Sequence, residues 1–575
     1  MCGIWGIIGL NSITKTELKN VMNLYNSSKE RGPDKSNLLH LSNHVFGFHR
    51  LAIHDLSPLG DQPFIFRESN KMYVLICNGE IYNYKELITK YNLSDSLKSD
   101  SDCEVIYHLF KLFNDINQVA KELRGEFAFV LTEINETNSI TYICRDQIGV
   151  RPLFYSVTSS NKLYFSSLLA GVIDSNSSSG QVFPPGQILT IKVDETKSFE
   201  MEFSKYYEYK YEINKNKFDL LALYRETLSL ETLALYRETL SLETLALYRE
   251  ITSRLINAVK LRLDSDRPIG ALLSGGLDSS LVCGIASKIL GVKNLNTFSI
   301  GMKKGTDLEY AAKVATHLGC NHTEVFFTEE EGLEAIYNVL DATETWDITT
   351  VRASVGQYLL GKYISRNTDI KVILNGDGAD EVEMGYLYFY LAPDANQAQK
   401  ETEKLLEEIH RFDGLRVDRC ISIHGLEARL PFLDIDFVDH YMQIDPELKI
   451  PSKQRMEKQL IRDAFNTLYP DLLPQEVMYR KKEAFSDGVS SKEKSWFQII
   501  TEWIEKRVSD EEYNEKDTNK YGKCKSKESY YYRKRFNDKY NKTLNPSWDV
   551  IPHYWLPNWI ETNGEPSARV LAVYK

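Results

Sequence analysis

The first residues that could do chemistry lie at the start of the chain, where Cys2 follows Met1. If Met1 is removed, the Cys2 thiol lies beside its own α-amino group, whose unperturbed pKa is about 7.7–8.0. A free amine of that pKa can act as general base for an adjacent nucleophile, and the thiolate is the form of cysteine that attacks. This arrangement suits attack on an amide carbonyl. For a cysteine considered alone, a small buried side chain in a first strand is the commoner explanation.

Several short motifs follow in order between residues 2 and 190: MCGIWGI, RGPD, GFHRLAI, CNGEIYN and SDCEVI. In this order they resemble the glutaminase domain of class II amidotransferases, whose nucleophile is an N-terminal cysteine. The resemblance implies that Arg50 binds the glutamine carboxylate, since a guanidinium can pair with a carboxylate through two hydrogen bonds. It also implies that Glu80 and Asp102 bind the glutamine ammonium. The Asn78 side chain and the Gly79 N–H would form an oxyanion hole.

A second group of reactive residues lies in the motif LLSGGLDSS, which follows the apolar run IGAL and precedes a helical pattern. A strand, a glycine-rich turn and a helix N-terminus bring backbone N–H groups together into an anion site. The Walker pattern GxxxxGK[ST] is absent. The motif resembles the pyrophosphate loop of ATP pyrophosphatases, which release AMP and pyrophosphate. The residues expected at ATP are Leu272, Ser274, Gly275, Gly276, Asp278, Ser279 and Ser280. Asp278 is also an expected Mg²⁺ ligand, because this cation favours carboxylate and phosphate oxygens.

Further motifs extend this resemblance through the second half of the chain. FSIGM contains Ile300, which matches an adenosine contact, and RKKEAFSDG contains Lys482, which would neutralise pyrophosphate and assist catalysis. WDITTVRAS contains Thr349 and Arg352, which the resemblance places near the aspartate and its acyl-adenylate.

The motif NGDGADE follows the strand-like run IKVIL, at the carboxyl end where open α/β sheets bind ligands. The resemblance implies roles at pyrophosphate, the acyl-adenylate and Mg²⁺ for Asn375, Gly376, Asp377 and Asp380. Where the family pattern reads SGEGSDE, this chain has Asn375, Asp377 and Ala379 in place of Ser, Glu and Ser. Asp377 keeps the negative charge but is one methylene shorter, and a displacement of about 1 Å can cost about 10²-fold in rate.

Taken together, the motifs resemble the eukaryotic-type, glutamine-dependent asparagine synthetase family over nearly the whole chain. The resemblance implies that Cys2 releases ammonia from glutamine, and that the second domain makes β-aspartyl-AMP from aspartate and ATP. Asparagine, AMP, pyrophosphate and glutamate would be the products. The altered NGDGADE motif leaves open a glutaminase, or an amide synthetase for another carboxylate. A non-catalytic regulatory homologue is a third hypothesis, which the retained reactive residues disfavour.

The elements that must position these residues fall into two classes along the chain. Short β-branched and aromatic runs with intervening helices over residues 2–190 predict an α+β domain of layered antiparallel sheets. Strand-like runs alternating with longer helices over residues 251–575 predict an α/β domain with a parallel sheet and a helical C-terminal extension. Residues 191–250 are expected to form a linker, in which the block LALYRETLSLET occurs at Leu221–Thr232 and again at Leu233–Thr244, before LALYRE restarts at Leu245. A helical or poorly packed elongation is the favoured interpretation of this repeat, and an interaction arm is the alternative.

The composition of the chain limits which partners and which cellular location can be expected for the protein. The chain has 575 residues, 42% of them hydrophobic, and a formal net charge of −12, which fits a multidomain globular protein and argues against a nucleic-acid binder. No apolar run approaches the ~20 residues that a membrane helix needs, and the N-terminal residues lack the features of a signal peptide. The eight cysteines form no CxxC pair, which indicates reduced thiols in a cytoplasmic compartment. A homodimer is implied only by the resemblance.

Overall fold

The computed structural model describes residues 1–9, 15–159, 161–173, 180–194, 199–213, 242–303, 305–482, 488–490, 494–516, 523–540 and 555–561. The strands of the N-terminal half are β1 Gly3–Ile8, β2 Lys35–Leu41, β3 His44–Arg50, β4 Phe64–Arg67, β5 Met72–Ile81, β6 Gly125–Ile134, β7 Ser139–Arg145, β8 Phe154–Val157, β9 Leu163–Ser166, β10 Gln181–Val182, β11 Gln187–Val193 and β12 Phe199–Lys205. Its helices are α1 Lys15–Asn26, α2 Tyr84–Lys90, α3 Val105–Phe113 and α4 Ile116–Glu122.

The strands of the C-terminal half are β13 Ile269–Leu272, β14 Asn296–Gly301, β15 Asn321–Phe326, β16 Val372–Leu374 and β17 Glu427–Arg429. Its helices are α5 Leu242–Leu261, α6 Leu277–Gly284, α7 Thr306–Leu318, α8 Glu329–Thr343, α9 Ile348–Asn367, α10 Ala379–Val382, α11 Ala395–Glu408, α12 Asp413–Ser422, α13 Ile435–Gln443, α14 Gln459–Leu468, α15 Gln475–Met478, α16 Trp496–Glu505, α17 Asp510–Lys516 and α18 Lys527–Tyr540.

Two antiparallel sheets form the N-terminal half, in the strand orders β10-β8-β9-β1-β3-β2 and β12-β11-β7-β6-β5-β4. Alternation along each strand divides its side chains between two faces. Ile4 of β1 and Ile76 of β5 belong to the apolar core between the sheets. Trp5 packs with residues of α1, whereas Cys77 packs with residues of α3. This layered α+β arrangement confirms the predicted class and brings the start of β1 to the ends of β3 and β5.

One parallel sheet, in the order β15-β14-β13-β16-β17, forms the centre of the C-terminal half. Helices cover it, and their apolar side chains share a core with Phe298 of β14 and Ile373 of β16. β13 and β16 are neighbours, so the motifs that follow them, LLSGGLDSS and NGDGADE, meet at the same edge of the sheet. The predicted α/β class is therefore confirmed, and so is the helical region that follows it.

The predicted linker bounds fall inside elements of the structure. Strand Gln187–Val193 crosses the expected boundary at residue 190 and pairs with Phe199–Lys205. Helix Leu242–Leu261 crosses the other boundary at residue 250, and its Leu247 and Tyr248 are buried in the C-terminal core. The last part of the repeat is thus a packed helix, while most of the repeat lies outside the described residues.

Buried arginine–carboxylate pairs join the two halves. Arg31 donates to both oxygens of Asp418 over 2.6 and 3.1 Å. Arg262 pairs with Glu126 at 3.0 Å and with Asp434 at 2.8 Å. Because a buried charge is costly without a partner, these pairs fix how the two halves meet.

All eight cysteines are free thiols. Within the described residues, no helix has the length and apolar character to cross a membrane.

Candidate active site

The LLSGGLDSS motif forms the turn between β13 and α6. Gly275 has φ +74°, and a Cβ there would lie 2.4 Å from the backbone N of Ala311, so the turn requires glycine. Ser274 N donates to Ser279 Oγ over 3.1 Å, which folds the turn back on the first residues of the helix. The first N–H groups of α6 have no partner within the helix, so the turn is suited to bind phosphate.

A cleft opens above this turn and the adjacent NGDGADE segment. The predicted residues that line it are Leu272, Ser274, Gly276, Asp278, Ser279, Ile300, Asn375, Gly376, Asp377, Asp380 and Lys482. Gly275 and Ser280 lie behind the lining, and the buried Ser280 Oγ has no hydrogen-bond partner among the described residues. Two motifs that are far apart in the sequence therefore form one site.

Two lysines and two carboxylates form the floor of the cleft. Lys458 Nζ lies 2.6 Å from both Asp278 Oδ1 and Asp380 Oδ1, and Lys482 Nζ also pairs with Asp380. Burial alone would raise the pKa of the Asp380 carboxyl, but Lys458 and Lys482 hold it well below its usual value. Asp380 is thus held in its charged form at neutral pH, and, although burial alone would lower it, the neighbouring Asp278 and Asp380 raise the pKa of the Lys458 ammonium. The described part of the chain contains no cluster of three or more His, Cys, Asp or Glu side chains arranged to bind a metal.

Asp377 is held by three side chains. Its Oδ2 accepts hydrogen bonds from Gln357 Nε2 at 2.7 Å and from Asn375 Nδ2 at 3.0 Å. Its Oδ1 lies 3.3 Å from Arg416 Nη2. Burial raises the pKa of the Asp377 carboxyl, and Arg416 offsets part of that rise. A carboxylate of raised pKa is better suited to accept a proton during catalysis.

Thr349 and Arg352, predicted to lie near the aspartate, are not among the residues that line this cleft. Thr349 Oγ1 donates to Asp347, the N-cap residue of α9, over 2.5 Å. Arg352 pairs with both oxygens of Glu528 in α18, over 3.0 and 2.6 Å. The guanidinium therefore tethers the C-terminal helix, because a bidentate carboxylate satisfies its fork of donors.

The Cys2 thiol lies at the start of β1 against the end of β3. Its Sγ accepts from Leu51 N at 3.4 Å and lies 3.6 Å from Leu51 O. With Met1 in place, burial raises the pKa of the Cys2 thiol to about 11. Burial also lowers the pKa of the Met1 ammonium to about 6. Arg50 is nearby, and its guanidinium donates to Ser57 O at 2.9 Å and to Asp61 Oδ1 at 2.6 Å.

Asn78 and Gly79 occupy the end of β5. Asn78 is fully buried, yet neither its side-chain nitrogen nor its oxygen has a partner among the described residues. An unpaired buried amide is costly, and the unpaired Nδ2 is available as a hydrogen-bond donor. A Cβ at Gly79 would lie 2.2 Å from Glu126 O, which excludes any other residue without movement of the backbone.

The two carboxylates predicted to bind an ammonium lie close together. Asp102 Oδ2 accepts from Ile81 N at 2.6 Å, and burial together with Glu80 raises the pKa of Asp102 to about 7. Glu80 Oε2 lies 3.0 Å from both His54 Nε2 and Arg429 Nη2. Although burial alone would lower it, the neighbouring Glu80 raises the pKa of His54 to about 9.

Several residues at these sites were not selected from the sequence: Lys458, Gln357, Arg416, His54 and Arg429. The motif RMEK contains Lys458, so this motif was a sequence signal for the residue. A single lysine, however, usually lies on a solvated surface. The relevance of Arg429 and His54 to this site follows only from their contacts with Glu80 in the structure.

This fold and these sites define a class of protein: a glutamine amidotransferase domain followed by a domain of the asparagine synthase type. The glutamine amidotransferase family model matches residues 1–194. The asparagine synthase family model matches residues 250–408 and 393–561.

Curated relatives match over the whole length. The glutamine-hydrolyzing asparagine synthetases of Gallus gallus and Homo sapiens are each 40% identical over 592 residues, covering 100% of this chain and 99% of the relative. The enzyme of Mus musculus is 39% identical with the same coverage. The chain therefore belongs to the family of glutamine-hydrolyzing asparagine synthetases.

Proposed function

We propose that this chain makes L-asparagine from L-aspartate and L-glutamine, with cleavage of ATP to AMP and pyrophosphate. The observation that carries the proposal is the presence of both sites in one chain. The Cys2 and Asn78 site lies in the N-terminal half, and the cleft containing Asp377 lies in the C-terminal half. Relatives that match over the full length and are named glutamine-hydrolyzing asparagine synthetases support it, as do the two family models that match this chain.

In the first half-reaction, removal of Met1 gives Cys2 a free amine that accepts the thiol proton. The thiolate attacks the side-chain carbonyl of glutamine, and Asn78 Nδ2 with Gly79 N–H stabilises the oxyanion. Ammonia leaves with a proton returned from the amine, and a γ-glutamyl thioester remains on Cys2. Water then hydrolyses the thioester to glutamate and regenerates the thiol. Arg50 would bind the carboxylate of glutamine, for which it must exchange some of its present contacts with the Ser57–Asp61 turn.

In the second half-reaction, the β-carboxylate of aspartate attacks the α-phosphorus of ATP and pyrophosphate leaves. Ammonia then attacks the β-aspartyl-AMP carbonyl and displaces AMP. Asp377 is assigned to accept the proton that the attacking ammonia loses, for which its raised pKa is favourable. The glycine-rich turn would bind phosphate oxygens, while Leu272 and Ile300 would contact the nucleoside.

The donors in the cleft fit a Mg²⁺ ion bound together with pyrophosphate. This cation usually takes one or two carboxylates and completes its shell with substrate phosphates and water. Asp278 and Asp380 supply two carboxylates on either side of Lys458 Nζ. When bound, Mg²⁺ would neutralise charge on the leaving pyrophosphate. Lys458 and Lys482 would pair with phosphate oxygens in the same step, after exchanging part of their contact with the carboxylates.

The remaining assignments are predictions from the sequence: domain bounds of 2–190 and 251–575, a homodimer, and a cytosolic location.

The decisive experiment measures asparagine and pyrophosphate in the same reaction, with ATP, Mg²⁺, aspartate and either glutamine or ammonium. Equal amounts of asparagine and pyrophosphate from both nitrogen sources are expected. Release of glutamate with neither product would reduce the activity to that of a glutaminase. Replacement of aspartate by glutamate in parallel reactions tests the choice of carboxylate.

A further inference from the structure

Arg429 ends strand β17 of the C-terminal sheet, and its side chain reaches into the N-terminal half. The guanidinium is fully buried. Its Nε lies 2.9 Å from Glu427 Oε1, and its Nη2 lies 3.0 Å from Glu80 Oε2. Its Nη1 donates to the carbonyl oxygens of Arg262 and Asp264 over 2.9 and 2.6 Å. Both terminal nitrogens and Nε therefore have acceptors, so the guanidinium has one fixed orientation.

The two oxygens of Glu80 have different surroundings. Oε2 contacts both Arg429 and His54 at 3.0 Å. Oε1 has no hydrogen-bond partner among the described residues. A carboxylate held through one oxygen in this way presents the other oxygen to a ligand.

The same residue contacts the other active site through its backbone. The carbonyl oxygen of Arg429 accepts a hydrogen bond from Asn375 N over 3.0 Å. Asn375 in turn donates its side-chain amide to Asp377. Arg429 therefore contacts a glutamine-site residue with its side chain and the segment that contains Asp377 with its backbone.

We propose that Arg429, which belongs to the ATP-domain sheet, is a positioning residue of the glutamine site. It fixes Oε2 of Glu80 so that Oε1 is left to bind the α-ammonium of glutamine. The inference rests on the proposed function, because it assumes that Glu80 binds this ammonium. The N-terminal domain, on this inference, does not form a complete glutamine site by itself. Arg429 from the C-terminal domain supplies the contact that fixes the orientation of the Glu80 carboxylate.

The test compares Arg429→Lys and Arg429→Met with the native enzyme, by steady-state glutaminase and ammonium-dependent asparagine assays. The substitution Arg429→Lys would keep the buried charge, but the lysine ammonium could not donate hydrogen bonds to all the acceptors that the guanidinium contacts. Arg124→Gln is the matched control, because Arg124 forms a bidentate pair with Asp434 across the same interface without contacting Glu80. His54→Phe removes the other partner of Oε2.

For both Arg429 variants we expect the KM for glutamine to rise about tenfold or more, since a charged hydrogen bond is lost from the binding carboxylate. The glutaminase kcat should stay within about threefold of native and ammonium-dependent synthesis within about twofold, because the thiol and the cleft are untouched. His54→Phe should raise the same KM less, and Arg124→Gln should leave it unchanged.

Two results would overturn the inference. One is a glutamine KM for Arg429→Lys equal to that of Arg124→Gln. The other is a parallel fall of the glutamine- and ammonium-dependent activities, which indicates general structural damage. Arg429→Lys is decisive if Arg429→Met does not fold, because it keeps the buried positive charge. Absence of glutaminase activity in the native protein would instead contradict the proposed function, so the two failures can be distinguished.

Discussion

Asn375 and Asp377 bind each other through two hydrogen bonds. The side-chain nitrogen of Asn375 donates to Asp377 Oδ2 over 3.0 Å, and Asp377 N donates to Asn375 Oδ1 over 3.2 Å. Both residues differ from the family pattern SGEGSDE, in which Ser and Glu occupy these positions. The longer amide of Asn375 thus contacts the shorter carboxylate of Asp377, and the pair fixes where that carboxylate lies.

Substitution Asn375→Ala should lower asparagine formation about tenfold, because one charged hydrogen bond to Asp377 is lost. The measurement is asparagine formed from ammonium, aspartate and ATP. Glutaminase activity should be unchanged, and Asn367→Ala, on the exposed end of α9, is the control. Full ammonium-dependent activity in Asn375→Ala would show that Gln357 and Arg416 hold Asp377 without it.

Substitution Cys2→Ala should abolish glutaminase activity and retain ammonium-dependent synthesis. The physical reason is that the thiol lies against Leu51 of the N-terminal half, whereas Cys2 is not among the residues that line the cleft of the C-terminal half. Glutamate and asparagine are measured in separate reactions, and Cys320→Ala, in the C-terminal half, is the control. Glutamate release that survives in Cys2→Ala would refute the assignment of the nucleophile.

Glutamine binding should weaken as pH falls through the pKa of Asp102. Burial raises this pKa to about 7, so the carboxylate is charged above pH 7 and becomes neutral below it. A neutral acid attracts the glutamine ammonium less, so the KM for glutamine should rise between about pH 8 and about pH 6. The substitution Asp102→Asn should raise this KM and flatten its pH dependence. A KM for glutamine that is constant over that pH range in the native enzyme would contradict the assigned ionisation of Asp102.

Substitution Lys458→Met should raise the KM for ATP and slow pyrophosphate release by about 10²-fold, because it removes a buried charge from the proposed phosphate site. It also leaves Asp278 and Asp380 facing each other with Lys482 as the nearby cation. ATP-dependent pyrophosphate release is the measurement. Lys449→Met, which removes a buried lysine outside the cleft, controls for lost stability. An unchanged KM for ATP would place Lys458 outside the nucleotide site.

Substitution Arg262→Met should destabilise the protein by about 3–5 kcal/mol, since it leaves Asp434 and Glu126 with fewer buried cations. Urea unfolding followed by tryptophan fluorescence gives the difference. Lys85→Met removes an exposed pair with Asp264 and should change stability by about 1 kcal/mol or less. Equal effects of the two substitutions would mean that burial does not set the strength of these contacts.

The sequence motifs indicated which residues could form each site, but they did not indicate the contacts between distant parts of the chain. The motifs singled out Ser274, Asp278 and Asp377, which the structure brings together in one cleft, and their roles at phosphate and in catalysis stay predictions. The pair of Arg352 with Glu528 was not predicted, since Glu528 lies far along the chain and no local pattern indicates a bidentate pair between distant helices. Arg429 was missed for the same reason, because its role follows from packing between domains.

The repeated block also bears on how this gene can change in length. The last part of the block, from Leu242 onward, forms the start of helix α5 and buries Leu247 and Tyr248. Because the copies are identical, loss or gain of one whole unit by replication slippage leaves the same residues preceding and entering the helix. Alleles that differ by one unit would therefore encode the same helix and the same two sites. A change of length by one whole unit in this tract therefore leaves the sequence of helix α5 unaltered.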